Sequence, residues 1–138
     1  VVTPGTITAA QALDQKANQY LASLYFGKTN VGFAVLDQST GEFFVGECAP
    51  HQLTESLRKF SPREVLVGES VVYSTADWYR TLKPFMTKVE DWVYNYDQGY
   101  RSLTDHFHVK SLKGFGCESL PDGITAGGTL FHHMIQTL

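Results

Sequence analysis

The chain has 138 residues, 43% hydrophobic and 18% charged, with eleven basic against fourteen acidic side chains and a net charge of −3. That length suits one domain with a real core, over residues 1–138. The scattered, weakly acidic charge excludes a basic stripe of the kind that neutralises DNA phosphates, and no apolar run approaches membrane-spanning length.

Val1–Thr6 reads as an extended lead-in with a Pro4-Gly5 turn. Thr8-Ala9-Ala10-Gln11 fits a capping box and predicts a short helix to about Leu13. Tyr20–Phe26 is the first strand, and Gly27–Asn30 turns into Val31–Leu36. That second strand is apolar on both faces, which places it near the middle of a sheet. Gln38–Gly41 is a turn in which Gly41 supplies positive φ. Asp37, at the strand end, is expected to bond to Ser39 and Thr40. Glu42–Cys48 returns as the third strand of an antiparallel meander.

Pro50 breaks the pattern, and Leu53, Leu57 and Phe60 then predict a helix over about 51–60. Ser61-Pro62 ends it. Val65–Val67 is wholly apolar, as a buried parallel strand would be, so a crossover joins it to the meander. Trp78, Tyr79, Leu82 and Phe85 suit a short helix that Pro84 disrupts. Val89–Tyr94 is expected as a last, edge strand. Tyr100, Leu103 and Phe107 give a helix over about 97–107 with Asp97 as N-cap. Leu112–Pro121 is a loop around Gly114-Phe115-Gly116. Gly127, Gly128, Phe131, Met134, Ile135 and Leu138 form one face of a closing helix, whose glycine pair lets it pack close to a neighbour. This element order is that of an α/β, ribonuclease H-like fold: a mixed five-stranded sheet of order 3-2-1-4-5 with flanking helices. Val1 has no Met before it and Leu138 no C-cap after it, so a segment of a longer protein is expected.

A nuclease on this fold needs clustered carboxylates around two metal ions. The expected first strand, Tyr20–Phe26, contains no acid. Glu55 and Glu69 are the candidates for the other two places, and glutamates occur often at such positions by chance. In Asp105-His106-Phe107-His108, residues two apart on a helix point to nearly opposite sides. His132 and His133 are neighbours about a hundred degrees apart, and solvated histidines are the better reading. Cys48 and Cys117 lack zinc-ligand spacing and a charged neighbour. They predict buried free thiols in a reducing compartment, with a single disulfide as the alternative. No secretory signal pattern is present. Gly114-Phe115-Gly116 lacks the Gly-Lys-Ser/Thr ending of a phosphate loop. No catalytic, cofactor or metal site follows from the residues.

Three stretches in order resemble one family. They are Val2-Thr3-Pro4-Gly5-Thr6, then Leu36-Asp37-Gln38-Ser39-Thr40-Gly41-Glu42-Phe43, then Gly114-Phe115-Gly116-Cys117-Glu118 with Leu120-Pro121 and Ala126-Gly127-Gly128. Together they are similar to the connector domain of the DNA mismatch-repair protein MutS. The resemblance implies a ribonuclease H-like, non-catalytic connector between mismatch recognition and the lever and ATPase parts. It implies contacts with other MutS domains and with a MutL-type protein, in a cytoplasmic, bacterial-type setting. Mismatched DNA, ATP and Mg would belong to the parent protein only. Its mismatch-reading Phe-x-Glu and Walker A motifs are absent here. Trp78 and Trp92 are candidate anchors for a partner, and packing in the core is the competing reading. The alternative function is a free-standing ribonuclease H-like, metal-dependent nuclease.

Overall fold

The computed structural model describes residues 20–70, 77–113 and 118–137. The expected lead-in with Thr3, Pro4, Gly5 and Thr6, the helix at Thr8, and Gly114, Phe115, Gly116 and Cys117 lie outside them. Five strands are described: β1 (Tyr20–Phe26), β2 (Val31–Asp37), β3 (Phe43–Cys48), β4 (Glu64–Gly68) and β5 (Met86–Val89). They form one sheet of order β3-β2-β1-β4-β5. β1–β2 and β2–β3 pair antiparallel, while β1–β4 and β4–β5 pair parallel. This is the ribonuclease H-like arrangement that the element order predicts. The helices are α1 (Leu53–Arg58), α2 (Asp77–Leu82), α3 (Tyr96–Phe107) and α4 (Pro121–Thr137).

Strand periodicity explains the two-sided core. Ala22 and Leu24 of β1, Val31 and Val35 of β2, and Val65 and Val67 of β4 face one side. There they meet Leu53, Leu57 and Phe60 at the end of α1, and Trp78 and Leu82 of α2. Leu21, Ala34, Leu36 and Leu66 face the other side and meet Ala126 and Leu130 of α4. α3 packs outside α4 through Leu103, against Ile124 and Phe131. Each fully buried Leu or Val contributes about 1.5–3 kcal/mol, so both layers are needed to hold the sheet.

Close approach sets where α4 lies. A side chain at Gly32 of β2 would run into the backbone of Asp122 and Gly123 at the start of α4. One at Gly128 would meet the Cα of Gly99 in α3. The expected role of the glycine pair holds: Gly128 lets the two helices touch backbone to backbone, and Gly127 faces the Phe43 ring.

Two boundaries differ from the sequence reading. The edge strand is Met86–Val89, and Asp91–Val93 is a 3₁₀ turn. Parallel pairing to β4 runs from Val65–Met86 to Gly68–Val89. β4 then ends, so Trp92 and Tyr94 have no strand to pair with despite their β-favouring side chains. The N-cap of α3 is Asn95, not Asp97. The Asn95 side chain accepts from the Gln98 amide at 2.9 Å while its own backbone stays extended. The disruption expected at Pro84 is present: α2 gives way to a 3₁₀ turn over Lys83–Phe85.

Candidate functional site

The middle of β1 is where this fold would need its first carboxylate. Ser23 occupies it, fully buried. Its Oγ lies 3.4 Å from the Tyr94 hydroxyl, which donates to the Leu66 carbonyl at 3.1 Å. Tyr94 also stacks on Tyr25, with ring centroids 5.6 Å apart. A phenol therefore closes the seam between β1 and β4. Glu55 sits on the exposed face of α1, paired with Arg58 at 3.5 Å. Glu69 lies in the turn after β4, exposed, its amide bonded to Val89 O. No group of three or more His, Cys, Asp or Glu among the described residues is arranged to hold a metal ion. The described residues do not fit the two-metal site, and no metal-dependent step follows from them.

Asp37 is nearly buried and closes the β2–β3 turn. Its Oδ1 accepts from the Ser39 hydroxyl at 2.6 Å, the Ser39 amide at 2.9 Å and the Thr40 amide at 3.4 Å. The Ser39 hydroxyl bond holds the carboxyl below its ordinary value of 3.8, and burial opposes it. Gly41 follows at φ +82°, the left-handed conformation expected from sequence. Asp37, Thr40 and Gly41 thus form one structural turn.

A second carboxylate organises the loop after α3. Glu118 accepts from the Tyr100 hydroxyl at 2.9 Å and from the Leu112 amide at 3.0 Å. Burial, then donation to Glu118, pushes the Tyr100 phenol above its usual range. The phenol therefore stays protonated and keeps donating. At the start of α4, Glu47 of β3 accepts the Asp122 amide at 2.9 Å. Burial raises the Asp122 carboxyl, and Glu47 raises it further.

The two tryptophans part ways. Trp78 is 8% exposed and packs on Phe26 with centroids 5.0 Å apart, so little of it remains for a partner. Trp92 is 62% exposed. Its indole N–H donates to Glu90 at 2.8 Å, and its ring meets His132 edge-on at 5.9 Å. Below it runs a groove of about 230 Å³ lined by Thr87, Lys88, Glu90, Thr129, His132 and His133, among others. The histidines expected in solvent are half-buried: His133 reaches Glu64 at 3.5 Å, beside the Thr87–Glu64 bond of 2.7 Å. His106 stays exposed in the last turn of α3, and His108 is its left-handed C-cap at φ 56°. Cys48 is free but only half-buried; burial raises its thiol, and a bond to Ser56 works against that. The roles of Tyr94 and Glu64 left no mark in the local sequence. Tyr94 meets Ser23 across 71 positions, and Glu64 meets Thr87 across 23.

A family model described as MutS domain II matches residues 19–138. The DNA mismatch repair protein MutS of Salinibacter ruber is 37% identical over 141 residues, covering 99% of this chain. That of Flavobacterium psychrophilum is 39% identical over 139 residues, again covering 99%. The chain spans 16% of the length of each relative. Among solved structures, the fowlpox virus Holliday junction resolvase superposes with a TM-score of 0.56 at 12% identity, over 86% of this chain and 99% of that one. That likeness is one of fold. With a family match across the whole described sheet and the four described helices, the chain belongs to the family of MutS domain II, the connector domain.

Proposed function

We propose that the chain is the non-catalytic connector of a MutS-type DNA mismatch-repair protein, and that it offers a docking surface to a MutL-type partner at Trp92. The family match carries the first half. The buried Ser23, with Tyr94 over it, supports a structural rather than a nucleolytic use of the fold. For the second half the supporting observation is Trp92, exposed but held by Glu90 and His132 above a groove. An exposed aromatic that is already ordered loses little entropy on binding, which is what an anchor needs. Mismatched DNA, ATP and Mg are handled elsewhere in the parent protein on this reading.

The test is a titration of the full-length parent, wild type and Trp92→Ala, with its cognate MutL in the presence of ATP and mismatched duplex. Truncating a true anchor weakens association by about 2 kcal/mol, or some thirtyfold, while mismatch binding is unchanged. Equal MutL affinity in the two proteins rules out Trp92 as the anchor. Loss of mismatch binding in the variant would assign the residue to a different role.

A further inference from the structure

A hollow of about 460 Å³ lies on the opposite side of the molecule from α4, between α1 and α2. Leu57 and Leu82, nearly fully buried, line its base. Phe85 stands at its lip, 46% exposed. Arg58 and Arg63, both exposed, are its only ionisable lining residues among those described. Among the described residues no carboxylate lines it, in a chain whose net charge is −3. Arg58 shares its charge with Glu55 at 3.5 Å, a pair that is largely solvent-exposed and therefore weak. Ser61, a non-glycine residue at φ 45°, turns the chain at the end of α1. The chain then passes through Pro62, so both arginines border one hollow. Phe85 and Arg63 also line a neighbouring polar hollow of about 420 Å³.

From this geometry we infer that the hollow binds a short acidic segment of a partner protein, with one aromatic or aliphatic side chain seated on Leu57, Leu82 and Phe85. Its volume is that of a pocket for one or two side chains. The apolar base supplies the anchor site. Arginine forks bind carboxylates in two-point contacts, so Arg58 and Arg63 select acidic neighbours on the anchor and reject basic ones. This surface is separate from the Trp92 groove, and its failure would leave the MutL reading untouched.

The probe is a fluorescein-labelled peptide with a central Phe-Leu pair flanked by Asp and Glu, alongside a control in which Lys replaces every acid. Anisotropy is read against the 138-residue chain at about 0.15 M salt, with folding checked by circular dichroism. The acidic peptide should saturate below about 1 mM and the lysine control should not. The double variant Arg58→Glu/Arg63→Glu should weaken binding at least about tenfold, whereas Lys113→Glu, which is not among the lining residues, should leave it unchanged. Phe85→Ser separates the apolar contribution and should also weaken binding. Absence of saturation, equal binding of both peptides, or indifference to the double variant overturns the inference. So does displacement of the peptide by a single-stranded oligonucleotide of equal charge, which would assign the arginines to phosphate. A full-length parent that refuses the peptide while this chain accepts it would show that another segment of the parent fills the hollow, and this too overturns it.

Discussion

At the residue scale, single backbone and hydrogen-bond demands decide the turns. Gly41 has nothing within 4 Å of where a Cβ would stand, so its φ of +82° is the whole constraint. Gly41→Val should therefore cost about 1 kcal/mol or more through left-handed strain alone. Gly41→Ala should cost less, and urea midpoints at constant slope will rank the two. Asp37 offers a test in pH. Its folded carboxyl titrates below the ordinary value of 3.8, chiefly because of the Ser39 hydroxyl. A depressed acid contributes stability that is present above its unfolded value and lost as pH falls through the folded one. Asp37→Asn should flatten that part of the acid limb below about pH 4. Acid titrations of wild type and variant with the same acid limb would show that the Ser39 bond does not couple to folding.

At the element scale, what was legible depended on how local the cause was. β1 was expected with its observed bounds, and β2, β3 and β4 within a residue at each end, because alternation and turn residues are read within a few positions. The edge strand was misplaced because its end is set by where β4 stops, a partner that the local pattern does not contain. The cap of α3 was misassigned between two capping residues two positions apart. Any residue at 98 would supply the backbone amide that Asn95 receives, so the local sequence did not mark the first over the second. Packing was readable where glycine announced it: Gly127 and Gly128 sit where α4 meets Phe43 and α3. Gly128→Val should be strongly destabilising, because the obstacle is the Gly99 backbone rather than a side chain that can rotate away. Gly127→Ala meets only ring and methyl atoms, at 2.8 Å and beyond, and should be milder. In β2, Val35 is fully buried, and Val35→Asp should cost several kcal/mol by burying an unpaired charge. Thermal melts of the three variants should order Gly127→Ala above the other two.

At the scale of the whole molecule, the fold and the chemistry separate. The sheet order and the crossover are those of a ribonuclease H-like protein, and the fowlpox resolvase superposes on the chain with a TM-score of 0.56 at 12% identity. Fold likeness at that level carries no activity. The sequence already lacked an acid on β1; it did not reveal that a tyrosine from beyond β5 would fill the gap, because that contact exists only once β1, β4 and the 91–94 turn are assembled. The consequence is testable by trying to rebuild the missing group. In a nuclease that had lost only one ligand, Ser23→Asp would restore a carboxylate and some magnesium- or manganese-dependent cleavage. Here the new carboxylate would be fully buried, facing Tyr94 and, among the described residues, without the other acids of a metal site. Desolvation would raise its pKa and destabilise the fold by a few kcal/mol. Tyr94 has a single hydroxyl hydrogen, which would have to turn from the Leu66 carbonyl to the new carboxylate, so combining the change with Tyr94→Phe should destabilise further rather than open a site. RNA–DNA hybrid cleavage should stay at background for wild type, Ser23→Asp and the double variant, with either metal. Metal-dependent turnover appearing in Ser23→Asp and vanishing in Ser23→Asn would mean that the connector still holds a latent two-metal centre, and would overturn the structural reading of Ser23 and Tyr94.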